Sequence, residues 1–362
     1  MATVREIIEA EIRSRGVIPF TRFMELALYS PGLGYYEREH RQIGRAGDFF
    51  TSVSVGKLFG ELLGFAFGEW LQSMPVEGHQ IVEAGAHNGQ LALDMLEHIR
   101  MRRPEIFSAL EYWIVEPSQS RRAWQQQTLE SFDGKVKWFD SPAELPLVNG
   151  VIFSNELIDA FPVHRVGWDA KAKCWFEWGV IIQDGKFTWS RMVEPVAKAI
   201  RSQSLLLPLE LSAVLPDGFT TELCPAAAQW WFAVAEKLER GRLVTIDYGQ
   251  QAEGFYTPQR SDGTLRAYRN HRLCDNPLEE PGEQDLTASV NFSVLTSMGE
   301  LAGLRTEHYF TQATFLTSIL DRTIKSPQHF GEWTPERTRQ FQTLTHPEHL
   351  GRPFQVLMQA RG

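Results

Sequence analysis

The chain has 362 residues, 43% of them hydrophobic and 22% charged, enough to bury a large core in one elaborated domain or in two. A formal net charge of −9 supplies no basic footprint and argues against DNA or RNA as a partner. Cys174, Cys224 and Cys274 lie far apart, so neither a disulfide framework nor a metal cluster follows, and a reducing compartment suits them. Residues 1–15 carry Glu6, Glu9 and Glu11, unlike an acid-poor transit peptide, and no apolar run approaches membrane-spanning length. The expectation is a cytoplasmic protein with no membrane partner.

In chain order, 3–15 reads as an amphipathic helix, with Val4, Ile7, Ile8 and Ile12 on one face and Gly16 as its stop. Thr21 is placed to cap a second helix over 22–29. A turn at 30–34 leads into the aromatic pair Tyr35-Tyr36. The stretch 44–52 sets Gly44 and Gly47 beside Asp48, Thr51 and Ser52. That composition suits a loop folded over a ligand, or an ordinary turn before a helix over 55–71. Residues 1–75 thus read as an N-terminal helical cap, and 76–362 as the main domain.

From Gln80 strand and helix alternate. A strand at 80–84 carries Ile81 and Val82; Gly85 and Gly89 then open a tight turn, and Leu91, Met95, Leu96 and Ile99 share a helix face. Strands follow at 112–116, 135–139 and 150–154, with a helix capped by Ser118 between the first two. After an insertion at 167–223 come a helix at 226–239, a strand at 242–247, a helix at 292–302, and strands at 305–310 and 354–358. Inside the insertion, 173–182 and 186–189 read as a hairpin around Asp184-Gly185, with Trp175, Trp178 and Trp189 as bulk. Its position points to substrate contact, its tryptophans to core. The whole is an α/β, doubly wound, Rossmann-like seven-stranded sheet, in the strand order of S-adenosylmethionine (SAM)-dependent methyltransferases.

The loop Glu83-x-Gly85-x-x-x-Gly89 is not the G-x-G-x-x-G of dinucleotide binders. It fits the looser glycine loop of SAM binders, whose ligand offers a carboxylate to a helix N-terminus; taken alone, such a turn is often only a turn. Glu116, at the tip of the second strand, can accept hydrogen bonds from ribose hydroxyls. The fourth strand ends in Ser154-Asn155-Glu156-Leu157-Ile158-Asp159, where the reacting group must lie. Glu156 and Asp159, three apart, can hold a guanidinium or ammonium, and one can accept the proton that methylation releases. Local capping by Asp159, and a polar core place rather than a base for His164, are the alternatives. Asn155 shares one residue with the tetrad of amino-group DNA methyltransferases, whose prolines and aromatic are missing. Asp247 ends the fifth strand at the same edge; 263–268 and 282–287 read as loops, with Asp285 and Thr287 capping the next helix.

Together, Gly47-Asp48-Phe49-Phe50-Thr51-Ser52, Phe59-Gly60-Glu61, the Glu83-to-Gly89 loop, Val115-Glu116-Pro117-Ser118, Asn155-Glu156-Leu157-Ile158-Asp159-Ala160, Ile246-Asp247-Tyr248-Gly249 and Asp285-Leu286-Thr287-Ala288 closely resemble the MidA family. The resemblance runs over about 16–310. It implies a SAM-dependent methyltransferase with an N-terminal cap. Mitochondrial members of that family are protein arginine methyltransferases acting on a complex I subunit, producing symmetric dimethylarginine.

Carried over, the cofactor falls to Gly47, Asp48, Thr51, Glu83, Gly85, Gly89, Glu116 and Asn155. The acceptor falls to Asn155, Glu156 and Asp159, with Asp159 or His164 assisting. Two departures stand out: His87 replaces the middle glycine of the family's Gly-Pro-Gly-x-Gly turn, and Val53-Ser54-Val55-Gly56 replaces Pro-Glu-Ile-Ser. The expected activity is in-line methyl transfer to a protein nitrogen, arginine first, without a metal. A small-molecule N- or O-methyltransferase and a non-catalytic SAM-binding assembly scaffold are the alternatives. A protein substrate is the expected partner, and a second copy of the chain is left open.

Overall fold

Parallel strands covered by helices on both faces must be apolar on both faces, and the sequence of each central strand obeys this. The computed structural model describes residues 2–38, 51–74, 78–192, 214–257, 260–269 and 272–362. Its largest sheet runs, edge to edge, Arg305–Thr311, Phe354–Arg361, Leu238–Gln250, Val148–Asn155, His79–Ala84, Leu110–Val115, Val136–Phe139. The four neighbouring pairings from Leu238–Gln250 to Val136–Phe139 are parallel, whereas Phe354–Arg361 is antiparallel to both its neighbours. A short strand, Val290–Asn291, pairs with the end of Leu238–Gln250. This is the expected seven-strand order, with the last strand inserted.

Alternate side chains divide between two cores. Ile81, Tyr112, Ile114, Val151, Phe153, Val244 and Ile246 pack against the helices Leu58–Gln72, Gln90–Arg102 and Gln312–Lys325. Val82, Ala84, Trp113, Val115, Ile152 and Leu243 pack against Pro225–Lys237 and Phe292–Leu301. The period of two in each strand therefore sets which helix layer each residue meets.

The first 75 residues divide where a single cap was expected. Leu58–Gln72 buries Phe59, Leu62, Leu63, Phe65, Ala66 and Phe67 in the central core and belongs to the sheet's helix layer. It starts three residues later than expected because Gly56, at φ +140°, separates it from a short turn at Val53–Val55. The helices Val4–Arg15 and Phe20–Tyr29 instead pack on a second, five-stranded sheet. Most of that sheet comes from the insertion: Cys174–Gln183 and Lys186–Arg191 form the expected hairpin, Cys174–Gln183 pairs with His164–Asp169, and His164–Asp169 pairs with Thr220–Leu223. Ile18–Pro19 pairs with Val180 and Gly179, and this strand carries the chain straight into the second helix. Pro19 is consequently the N-cap residue, and Thr21 lies within the helix.

The stretches expected as loops at 263–268 and 282–287 contribute strands to a three-stranded sheet, Arg272–Cys274, Arg266–Arg269, Asp285–Thr287. Strands of three or four residues with mixed charge show no period to read. Nor do Asp285 and Thr287 cap a helix: Asn291 does, its side chain accepting from the Val294 N–H at 3.4 Å.

Phe23 is fully buried and meets Phe187 edge-on at 5.5 Å, joining the N-terminal helices to the insertion. Phe23→Ala is expected to cost about 3–5 kcal/mol in urea unfolding, the range for a large aromatic removed from a packed core.

Candidate active site

The carboxyl ends of the parallel strands open into one cavity of about 1620 Å³. It is lined by 83–88 after the first core strand, 115–121 after the second, and 155–157 with 159–162 after the fourth. Ligands of doubly wound sheets bind at this edge.

The glycine turn depends on left-handed backbone. Gly85 (φ +74°) and Gly89 (φ +84°) both take the left-handed conformation. A Cβ on Gly85 would also stand 2.6 Å from Leu157 Cδ1. Between them His87 holds φ +45°, so the histidine follows the path a glycine takes without cost. Its carbonyl is fixed by Gln125 Nε2 at 3.0 Å, and burial brings its ring down to about 4. The turn therefore forms with a histidine at its centre. Glu83, 2% exposed below the turn, accepts from Tyr112 Oη at 2.6 Å, and burial pushes it up to about 7.

Glu116 is buried in the cavity wall. It accepts from the Ser118 N–H and Arg121 Nε, both at 2.9 Å, and from Gln125 Nε2 at 3.3 Å. Arg121 Nη2 adds an ion pair at 2.8 Å. A carboxylate so held is fixed in place to receive hydroxyls from the cavity side.

Glu156 is the least ordinary residue of the site, a non-glycine at φ +51° on the strand tip. Its N–H donates to Ile246 O at 2.9 Å, and its carboxylate accepts from the Ser52 N–H at 3.1 Å and Asn155 Nδ2 at 3.2 Å. Burial pushes it up to about 7. Asp159 follows in the turn Ile158–Ala160. Burial and then the charges of Asp247, Asp285 and Glu156 hold it well above the usual carboxylate range. Asn155 lines the cavity with its Oδ1 buried and without a hydrogen-bond partner in the described structure.

Thr51 lines the cavity too, locked by reciprocal bonds with Ser54 at 3.0 and 3.1 Å. Gly47 and Asp48 lie outside the described residues. His164 does not reach the cavity. Its strand turns into the second sheet, where Nδ1 meets Glu177 Oε1 at 2.6 Å, so the expected base is a paired residue of another element. Asp247 is absent from the lining as well; fully buried, it accepts from the N–H groups of Leu157, Ile158 and Tyr248 at 3.2, 2.8 and 2.8 Å. No described residue of the insertion hairpin lines the cavity, so its tryptophans serve packing there: Trp189 lies 4.9 Å from Phe20.

Tyr29, Tyr36 and Arg121 line the cavity without having been expected there, and so does Asp285, which was expected to cap a helix. The Tyr35-Tyr36 pair and the Asp285-Leu286-Thr287-Ala288 motif were visible signals. Arg121 was legible only as the fifth residue after Glu116.

The residues present fit SAM: a turn closed to any side chain at Gly85, a fixed acid at the second strand tip, and an unpartnered buried acceptor on Asn155. Fold and site together define a SAM-dependent methyltransferase. The family model described as "Putative S-adenosyl-L-methionine-dependent methyltransferase" matches residues 62–310, and the chain belongs to that family, whose cofactor is SAM. It is 30% identical to the mitochondrial protein arginine methyltransferase NDUFAF7 homologue of Drosophila melanogaster, over 82% of this chain and 70% of that one. It is 25% identical to protein arginine methyltransferase NDUFAF7 of Danio rerio, over 96% and 84%. A Burkholderia thailandensis protein crystallised with S-adenosyl-homocysteine superposes with a TM-score of 0.83 at 31% identity, covering 99% of this chain and 92% of that one.

Two outcomes follow. At position 87 the order of stability in urea unfolding is expected to be Gly at or above His, and Val about 1–2 kcal/mol lower, because a β-branched side chain resists the left-handed region. Glu156 binds its proton more tightly in the folded protein (about 7) than in the unfolded chain (ordinary value 4.5), so its burial costs stability as pH rises between those values. Glu156→Gln should therefore gain stability relative to the wild type from pH 4.5 to 7, with parallel curves outside that window. The half-buried His87 and the buried His98, held low at about 4 and about 3, act in the opposite sense in both proteins, so the difference between the two curves carries the effect.

Proposed function

We propose that the protein transfers the methyl group of SAM to a guanidinium nitrogen of arginine in a protein substrate. The observation that carries this reading is the convergence of Glu156 and Asp159 on a cavity larger than one ligand needs. Single-ligand pockets run to about 300–1,000 Å³, against about 1620 Å³ here. The names of the fly and fish relatives support arginine as the acceptor.

When bound, SAM supplies an electrophilic methyl group on a sulfonium. The chain's part is to place the acceptor nitrogen and to take charge of its proton. Ionised Glu156 can accept two N–H bonds from a guanidinium and fix its plane. Each methyl added to nitrogen releases one proton, and Glu156 is the carboxylate placed at the strand tip to receive it. Rate enhancement rests on orientation more than on a strong base. An incoming cation favours the ionised form of both acids, so acceptor binding releases protons.

We also propose a cytosolic location; three cysteines without a disulfide support it. Among the described residues no helix is long and apolar enough to cross a membrane.

Transfer of labelled methyl from SAM to arginine-containing peptides tests the reading. The kcat/KM is expected to fall as pH drops below about 7, where Glu156 takes up a proton. Glu156→Gln is expected to lose about 10²-fold or more and to flatten that limb. Full transfer by Glu156→Gln would overturn the assignment.

A further inference from the structure

One wall of the cavity is built from pieces distant in sequence. Tyr36 Oη donates to Asp285 Oδ1 at 2.7 Å. Tyr29 Oη donates to Ala160 O at 2.8 Å, directly beside Asp159. The two tyrosine rings stack at 5.7 Å with 25° between their planes. Asp159 O in turn accepts from the Ala288 N–H at 2.9 Å, which ties the strand Asp285–Thr287 to the turn that carries Asp159. Tyr29, Tyr36, Asp159 and Asp285 all line the cavity, as does Glu156. The wall joins one ring directly to a carboxyl group, Tyr36 to Asp285, and the other to the backbone next to Asp159.

Carboxylates alone would attract any cation, lysine ammonium and arginine guanidinium alike. Ring faces separate the two. A guanidinium is flat, delocalised and weakly hydrated, and it stacks on aromatic faces; an ammonium is compact and holds its water. We propose that Tyr29 and Tyr36 form the specificity-determining wall of the acceptor pocket and select a guanidinium over an ammonium, with Asp285 as the residue that positions Tyr36. This rests on the arginine reading above and adds which residues make the choice.

The same segment touches the cofactor side, which gives the inference a control. Glu37 accepts from Ser118 Oγ at 2.9 Å and lies 3.6 Å from Arg121 Nη1, the partner of Glu116. A variant that merely loosened the segment would disturb Glu37 and Arg121 and weaken SAM binding along with the acceptor.

The test uses the full chain, matched arginine- and lysine-containing peptides for kinetics, and calorimetry for SAM. Tyr36→Leu is expected to raise the KM for the arginine peptide about tenfold, the scale of one desolvated cation–ring contact, with the loss in KM rather than kcat and SAM affinity unchanged. Tyr36→Phe keeps the ring and should recover most of the lost affinity; Tyr29→Leu should act in the direction of Tyr36→Leu. An unaltered arginine KM in Tyr36→Leu would overturn the inference, as would a parallel loss of SAM affinity. A wild type that uses the lysine peptide equally well overturns the selectivity alone. A wild type that uses neither overturns the arginine reading too, so the two failures are told apart.

Discussion

One buried carboxylate holds the site in shape. Asp247, at the end of the fifth core strand, accepts the N–H groups of Leu157, Ile158 and Tyr248 with no exposure to solvent. Those first two N–H groups belong to the chain just after the fourth strand, where it turns over the sheet edge. Glu156, immediately before them, is left with positive φ and a carboxylate facing the cavity. Burial pushes Asp247 up while backbone N–H donors, those of Ile158, Tyr248, Leu157 and Asp159, draw it down, to a balance of about 6. Without that clamp a left-handed glutamate at a strand tip would have little to hold it.

The cavity is asymmetric in charge. At one strand tip Glu116 is neutralised by Arg121. At the other, Glu156 and Asp159 have no lysine or arginine ion pair among the described residues, and burial holds both protonated above the ordinary range. An acid held that way is poised for a cation: it gives up its proton when positive charge arrives. Perturbed carboxylates gathered in a cleft are the usual mark of a functional site, here with a stated cause for each.

The sheet was legible because its signals are local. Ile81-Val82, Trp113-Ile114 and Ile152-Phe153 are apolar pairs that only a doubly covered strand explains, and Gly85 and Gly89 mark the turn after the first. Glu116 and Glu156 could be placed because a strand tip is a position in sequence. The aromatic wall could not. Tyr29 and Tyr36 meet Ala160 and Asp285 across 131 and 249 residues, and no periodicity encodes such a meeting. His164 misled for the converse reason: it lies close to Asp159 in sequence, but its strand runs into the insertion sheet and to Glu177. The N-terminal region was divided by partners rather than by composition, since Leu58–Gln72 and Phe20–Tyr29 are similarly apolar and bury against different sheets.

One cavity is expected to hold SAM on its Glu116 side and to present the transferable methyl toward Glu156 and Asp159. A crystal structure of the complex with S-adenosyl-homocysteine tests it most directly. The ribose hydroxyls are expected on Glu116, the amino-acid end against the turn from Gly85 to Gly89, and the sulfur facing the carboxyls of Glu156 and Asp159. A ligand bound elsewhere, or one whose sulfur faces away from Glu156, would contradict it.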